Sequence, residues 1–171
     1  EPFTRLPPSV AAPNGARESG DAPLPVLHPG LHVGYVGSDY PGRGLELFDA
    51  LGDRVRGFQL HLIGRERTVS PYLAEGWRRA MDILLLPYQK ETRTRAGFDN
   101  TRWMSPLKVF EYMAAGKAML VSDLPVLCEI LADGDTARLL PPEHPAAWAE
   151  ALTALRDDPA ARTALGQRAH A

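Results

Sequence analysis

The sequence predicts a doubly wound, parallel α/β sheet of the Rossmann-like kind, and three observations carry that expectation. Apolar runs of strand length recur along the chain, several stopped by Gly or Pro. Amphipathic stretches of helical period lie between them. One run, Ile83-Leu84-Leu85-Leu86 before Pro87, is continuously apolar rather than alternating, as befits a strand covered on both faces. Strands that alternate with helices fold as a parallel sheet with helical crossovers.

Each element follows in order. Residues 1–31 hold seven prolines among Gly and Ala and show no hydrophobic period. They read as a linker, or an arm lying across a surface, ahead of a domain over 32–171. His32 to Gly37 is a strand ending in glycine. Leu45 to Val55 sets Leu45, Phe48, Leu51 and Val55 on one helical face. Phe58 to Ile63 is a second strand, closed by Gly64. Tyr72 to Met81 reads as a helix with Leu73, Trp77 and Ala80 along one side, and Asp82 to Leu86 as the next strand. Gln89 to Met104 is polar, with Lys90, Arg93, Arg95 and Arg102 beside Phe98 and Trp103, and reads as a long mobile loop. Pro106 to Ala115 is a helix with Pro in its first turn and Gly116 past its end. Ala118 to Ser122 is a strand, Pro125 to Leu131 a helix, and Thr136 to Leu140 a last short strand. Pro145 to Arg156 and Pro159 to Ala169 are two further helices, each opened by proline. Ligands of such sheets sit at the carboxyl ends of the strands, where the strand order reverses.

Composition narrows the function. The 171 residues, 44% apolar and 23% charged, suit one globular domain. A net charge of -2 gives no bulk attraction to nucleic acid or anionic membrane, so any phosphate recognition must be local. No apolar run approaches the ~20 residues of a membrane span, and the N-terminus lacks a signal pattern; a cytoplasmic location is expected. With no initiator Met, the chain reads as a fragment. Cys128 is the single cysteine, which excludes an intrachain disulfide and a cysteine-based zinc cluster. Within Leu124 to Leu131 it reads as a small buried hydrophobe. His28, His32, His61, His144 and His170 show no ligand spacing.

Two segments can carry chemistry. Gly37-Ser38-Asp39-Tyr40-Pro41-Gly42-Arg43-Gly44 joins the first strand to its helix. Its glycines let backbone N–H groups approach an anion, and Arg43 adds a cation suited to phosphate. It is not the G-x-G-x-x-G dinucleotide fingerprint. The plain alternative is a tight turn with a solvated arginine. In the second segment, Ser105 to Gly116, Ser105 stands at an N-cap and Pro106 starts the helix. Free N–H groups there, with Lys108, can meet a diphosphate. Glu111 follows Lys108 by about one turn, and a carboxylate there can accept from vicinal ribose hydroxyls. The plain alternative is a solvated Lys-Glu pair.

Ser105-Pro106-Leu107-Lys108-Val109-Phe110-Glu111-Tyr112-Met113-Ala114-Ala115-Gly116-Lys117, followed by Val121-Ser122-Asp123-Leu124-Pro125-Val126-Leu127, closely resembles the donor-site segment of GT4-type (group 1) glycosyltransferases. Val10 to Gly15 resembles the start of their C-terminal domain. Gly34 to Gly37 with Arg43-Gly44-Leu45 is similar to their first strand and loop, Asp82 to Pro87 to a later strand, and Asp133-Gly134-Asp135 onward to Pro145 to their tail. The resemblance implies the C-terminal half of a GT-B fold, with an N-terminal acceptor domain absent from this chain. It implies retaining, metal-independent transfer of a glycosyl group from a nucleotide-diphosphate sugar, with no cofactor. The isolated half would bind donor without turnover, and membrane contact would arise only through the acceptor. By position, Glu111 matches the ribose-binding second glutamate of the family's E-x7-E motif. Lys108 and the Ser105-Pro106-Leu107 backbone match the pyrophosphate turn. Arg43 matches the lysine of an Arg-x4-Lys pair, and Gly37 the glycine loop.

The chain departs from the family in three places. Trp103 stands where the first glutamate of E-x7-E belongs, and Ser38 where the arginine of Arg-x4-Lys belongs. Gly64 runs into Val69-Ser70-Pro71 where the family has a helix and another strand, so 58–63 is expected at the sheet edge. Asp133 and Asp135 have D-x-D metal spacing but sit in a turn that favours Asp anyway. The basic loop before Ser105 fits a substrate or domain interface better than nucleic acid. The competing readings are a non-catalytic nucleotide-sugar-binding module, a GT-B epimerase or phosphorylase half, and a ligand-free regulatory α/β domain. No catalytic residue is named.

Overall fold

A computed structural model describes residues 20–38, 42–64, 69–90 and 107–171. The elements are β1 (Leu31–Val36), α1 (Glu46–Arg54), β2 (Phe58–Ile63), α2 (Pro71–Ala80), β3 (Ile83–Leu86), α3 (Leu107–Ala114), β4 (Ala118–Ser122), α4 (Pro125–Cys128), β5 (Arg138–Leu140), α5 (Pro145–Asp157) and α6 (Pro159–His170). The five strands form one sheet in the order β2-β1-β3-β4-β5, every pairing parallel. This is the α/β architecture expected from the sequence. β2 pairs with β1 alone among the described residues, so it is an edge strand there, as the short Gly64–Pro71 connection predicts. The basic segment 91–106, with Trp103, lies outside the described residues.

Burial follows the apolar runs. Ile83 to Leu86 of β3 and Met119 to Val121 of β4 are fully buried, the pattern of central strands covered on both faces. Leu45, Phe48, Leu51 and Val55 are buried as their spacing predicts. α6 lies so close to the turn after α3 that a Cβ on Gly166 would strike the Gly116 carbonyl. Capping starts the helices where sequence placed them. The Ser70 side chain accepts from the Leu73 amide at 3.3 Å, and that of Asp158 from the Ala161 amide at 2.8 Å, each ahead of a proline.

Two burial expectations fail. Leu73 is 46% exposed, while Glu75, Gly76 and Arg78 of the same helix are buried. The cause is residues 20–23, which run over α2 and reassign its faces. The Gly20 amide donates to Glu75 Oε1 at 2.8 Å, Arg79 to the Gly20 carbonyl at 2.7 Å, and the Tyr72 hydroxyl to the Asp21 carbonyl at 2.8 Å. Pro23 presses its carbonyl against Gly76, where no side chain would fit. Cys128 is exposed rather than buried. α4 is a single turn whose inward position is taken by Leu127, so its neighbour faces out. The Cys128 thiol donates to Asp123 Oδ1 at 3.2 Å. Desolvation, then that carboxylate, raises its pKa, which keeps it a thiol rather than a reactive thiolate.

β1 and β2 also bring together two histidines that have no spacing relationship in sequence. His32 Nδ1 lies 2.9 Å from His61 Nε2, and His32 Nε2 lies 2.9 Å from the His28 carbonyl. A carbonyl only accepts, so Nε2 of His32 carries the proton, its Nδ1 accepts, and His61 donates from Nε2. Trp77 of α2 packs 6.0 Å from the His61 ring.

Candidate functional site

β1 pairs with β2 along its whole length but with β3 only through Val33 and Gly34. Beyond Gly34 the end of β1 has left the β3 ladder, at the place where the strand order reverses. That is where an open α/β sheet offers a crevice. The Tyr112 hydroxyl of α3 fills the gap and accepts the Val36 amide at 2.9 Å. Tyr112 is fully buried, and desolvation raises its pKa well above that of a free phenol, so it stays protonated.

Next to this junction lies a cavity of about 160 Å³. Val36, Gly37 and Ser38 line it from the end of β1, and Ile63 and Gly64 from the end of β2. Pro71, Ala74 and Arg78 close it from α2, with Val69 ahead of them, while Lys108 and Glu111 project from the first turns of α3. The two strand ends are tied by the Gly37 amide, which donates to the Ile63 carbonyl at 2.9 Å. Gly64 has φ +98° and its Cα faces the Gly37 carbonyl, so glycine is required on both conformational and steric grounds.

Three charged side chains meet in the cavity wall. Glu111 Oε2 lies 3.5 Å from Lys108 Nζ and 3.6 Å from an Arg78 nitrogen. Lys108 Nζ also donates to the Val36 carbonyl at 3.0 Å. Its ammonium lies where a Cβ on Gly37 would be, so glycine is what admits the lysine. The Lys108 pKa is lowered, first by burial; the Arg43 and Arg78 charges act in the same direction and Glu111 opposes them. The Lys108 ammonium stands beside the N-terminus of α3, a setting that favours a bound anion.

The sequence-predicted residues divide. Gly37, Lys108 and Glu111 come together in one cavity. Leu107, the first residue of α3, is 55% exposed, so it can contribute backbone but no packing. Arg43 is not in the cavity wall; its guanidinium lies 4.4 Å over the Tyr88 ring, at the end of β3, near enough to act on Lys108. Burial pushes Tyr88 up to about 12, with Arg43 pulling the other way. Ser105 and Pro106 lie outside the described residues. Arg78 was missed, because the sequence offers it only as one of two adjacent arginines on an amphipathic helix. Asp133 and Asp135 are each engaged elsewhere. Asp133 accepts the Leu139 amide at 2.9 Å, and Asp135 pairs with Arg168 at 2.9 Å.

The arrangement has relatives of known structure. The C-terminal domain of LpcC, a group 1 glycosyl transferase from Francisella tularensis, superposes with a TM-score of 0.61 at 17% identity, over 83% of this chain and 84% of that one. Sucrose-phosphate synthase from Thermosynechococcus elongatus does so at 0.66 and 19% identity, over 82% of this chain. HepE from Anabaena, in complex with UDP-glucose, gives 0.64 at 14% identity, again over 82%. The chain covers 40% and 43% of those last two proteins. Such identities establish the fold, that of the C-terminal half of GT-B enzymes. No curated protein sequence matches this one. The model of the family described as "Glycosyl transferases group 1" matches residues 30–158, three quarters of the sequence, and the chain belongs to that family.

Proposed function

We propose that the cavity at the ends of β1 and β2 is the donor site of a glycosyltransferase and takes a nucleoside-diphosphate sugar. The observation that carries this reading is the meeting of Lys108, Arg78 and Glu111 at the start of α3. A diphosphate finds Lys108 and the helix N-terminus, and the ribose diol finds the Glu111 carboxylate. HepE, a structural relative, has been solved with UDP-glucose, which supports a sugar nucleotide as the ligand class.

In the reaction, the diphosphate leaves as negative charge builds on its bridging oxygen. Lys108 and the α3 N-terminus, with Arg43 close by, stabilise that charge in place of a divalent metal. Retention at the anomeric carbon belongs to this reading. So does an acceptor side supplied by a further domain, since the full-length relatives are more than twice as long as the region matched.

Calorimetric titration with UDP, GDP and ADP tests the reading, because it asks first whether the site takes a nucleoside diphosphate at all. Glu111→Ala should weaken whichever of these binds by about 1–3 kcal/mol, the worth of a charge-assisted pair. A folded Glu111→Ala variant with unchanged affinity would remove the ribose role. Silence of the unsubstituted chain toward all three would remove the donor site altogether.

A further inference from the structure

We propose that Arg78 positions Glu111 for the donor ribose, so that the site's preference for ribonucleotides over 2'-deoxyribonucleotides depends on an arginine that does not touch the sugar. The inference rests on the donor-site reading above and extends it by one residue.

Glu111 is the most exposed of the three charged groups, its side chain 36% accessible, against 19% for Lys108 and 8% for Arg78. A half-exposed glutamate left alone would sample several rotamers, and ordering it on binding would cost affinity. Both cations approach the same oxygen, Oε2. Among the described residues, Oε1 has no hydrogen-bond or ion-pair partner, which leaves it for a hydroxyl donor.

Lys108 is poorly suited to fix the carboxylate alone. Its ammonium is a point charge on a flexible stem, already committed to the Val36 carbonyl. Arg78 offers a planar, buried guanidinium on a helix that is itself held from behind. Glu75 and Arg79, its neighbours on α2, are tied to Gly20 in the crossing arm. Sequestering an arginine charge this thoroughly is costly unless partners repay it, and Glu111 is one of them, at ion-pair distance.

The test is calorimetry on the 171-residue chain with UDP, GDP, ADP and their 2'-deoxy counterparts. Inorganic pyrophosphate serves as a probe without a sugar, and thermal unfolding of each variant is measured in parallel. The unsubstituted chain should favour the ribo form about tenfold or more, the worth of one hydrogen bond to a charged acceptor. Arg78→Met should bring ribonucleotide affinity down to the 2'-deoxy level, leaving 2'-deoxy and pyrophosphate affinities within about twofold. Arg78→Lys should recover part of the preference, and if Arg78→Met does not fold, this variant and Arg78→Gln decide by the same comparison. A folded Arg78→Met or Arg78→Gln that keeps the full preference overturns the proposal. So does an equal loss for ribo, 2'-deoxy and pyrophosphate, which would make Arg78 a direct phosphate ligand. Glu111→Gln separates the two layers: if it abolishes the preference and Arg78→Met does not, the donor site stands and only the positioning role falls. If no nucleoside diphosphate binds the unsubstituted chain, both fall together.

Discussion

The Tyr112 hydroxyl accepts the backbone amide of Val36 across 76 residues of sequence, at 2.9 Å and away from solvent. One side chain of α3 thereby completes the hydrogen bonding of β1 where the β3 ladder has ended. Tyr112→Phe keeps the ring and removes that acceptor, leaving a buried N–H unsatisfied. The expected loss is about 1–3 kcal/mol of unfolding free energy, read from the denaturant midpoint. A variant as stable as the original would mean that Val36 finds another acceptor. Because Lys108 and Glu111 stand on the same helix, nucleotide affinity should fall as well.

Gly37→Ala addresses the other side of the cavity. The added methyl would occupy the space of the Lys108 ammonium and its neighbouring carbon, the movable end of a long side chain. Stability should therefore change by less than about 1 kcal/mol, while diphosphate affinity drops about tenfold as the lysine swings away. A large stability loss with intact affinity would reverse that assignment.

Much of this was legible in the sequence. The parallel α/β sheet follows from element alternation, while the early edge at β2 and the grouping of Gly37, Lys108 and Glu111 follow from the resemblance to group 1 glycosyltransferases. What escaped needed information that no local window holds. Arg78 lines the cavity on a helix whose faces residues 20–23 reassign, and without that cover the apolar Leu73 looked like the inward position. The His32–His61 pair depends on the register of β1 against β2, which sets Gln59 opposite His32 and His61 opposite Gly34. Cys128 was misread because α4 lasts only one turn. An apolar run cannot say how far its helix continues.

Donor binding should not depend on divalent metal. Lys108 and the N-terminus of α3 already bring positive charge to the proposed diphosphate position, and the two carboxylates with metal spacing, Asp133 and Asp135, are bound to Leu139 and Arg168. Titration with and without EDTA should give superimposable curves. Affinity abolished by EDTA and restored by Mg2+ would contradict this.

Acid should loosen the fold through the histidine pair. Burial, and then the neighbouring His32 charge, lower the His61 pKa below 6.5. Between that lowered value and 6.5 the unfolded chain binds more protons than the folded one, so stability rises with pH across this window. His61 contributes nothing further to the slope above it. Melting temperatures from pH 5 to 8 should fall on the acid side, and His61→Gln should flatten the fall. An unchanged slope in that variant would assign the effect to other groups.

Gly20 to Pro23 are fastened to Glu75, Gly76 and Arg79 of α2, while His28 and Pro29 further on accept from Gln59 of β2. Arg78 sits within one turn of those three α2 residues. The stretch that covers α2 and the arginine that meets Glu111 thus share one helix, so loosening the Gly20–Glu75 contact should be felt at the carboxylate without a change in the sheet.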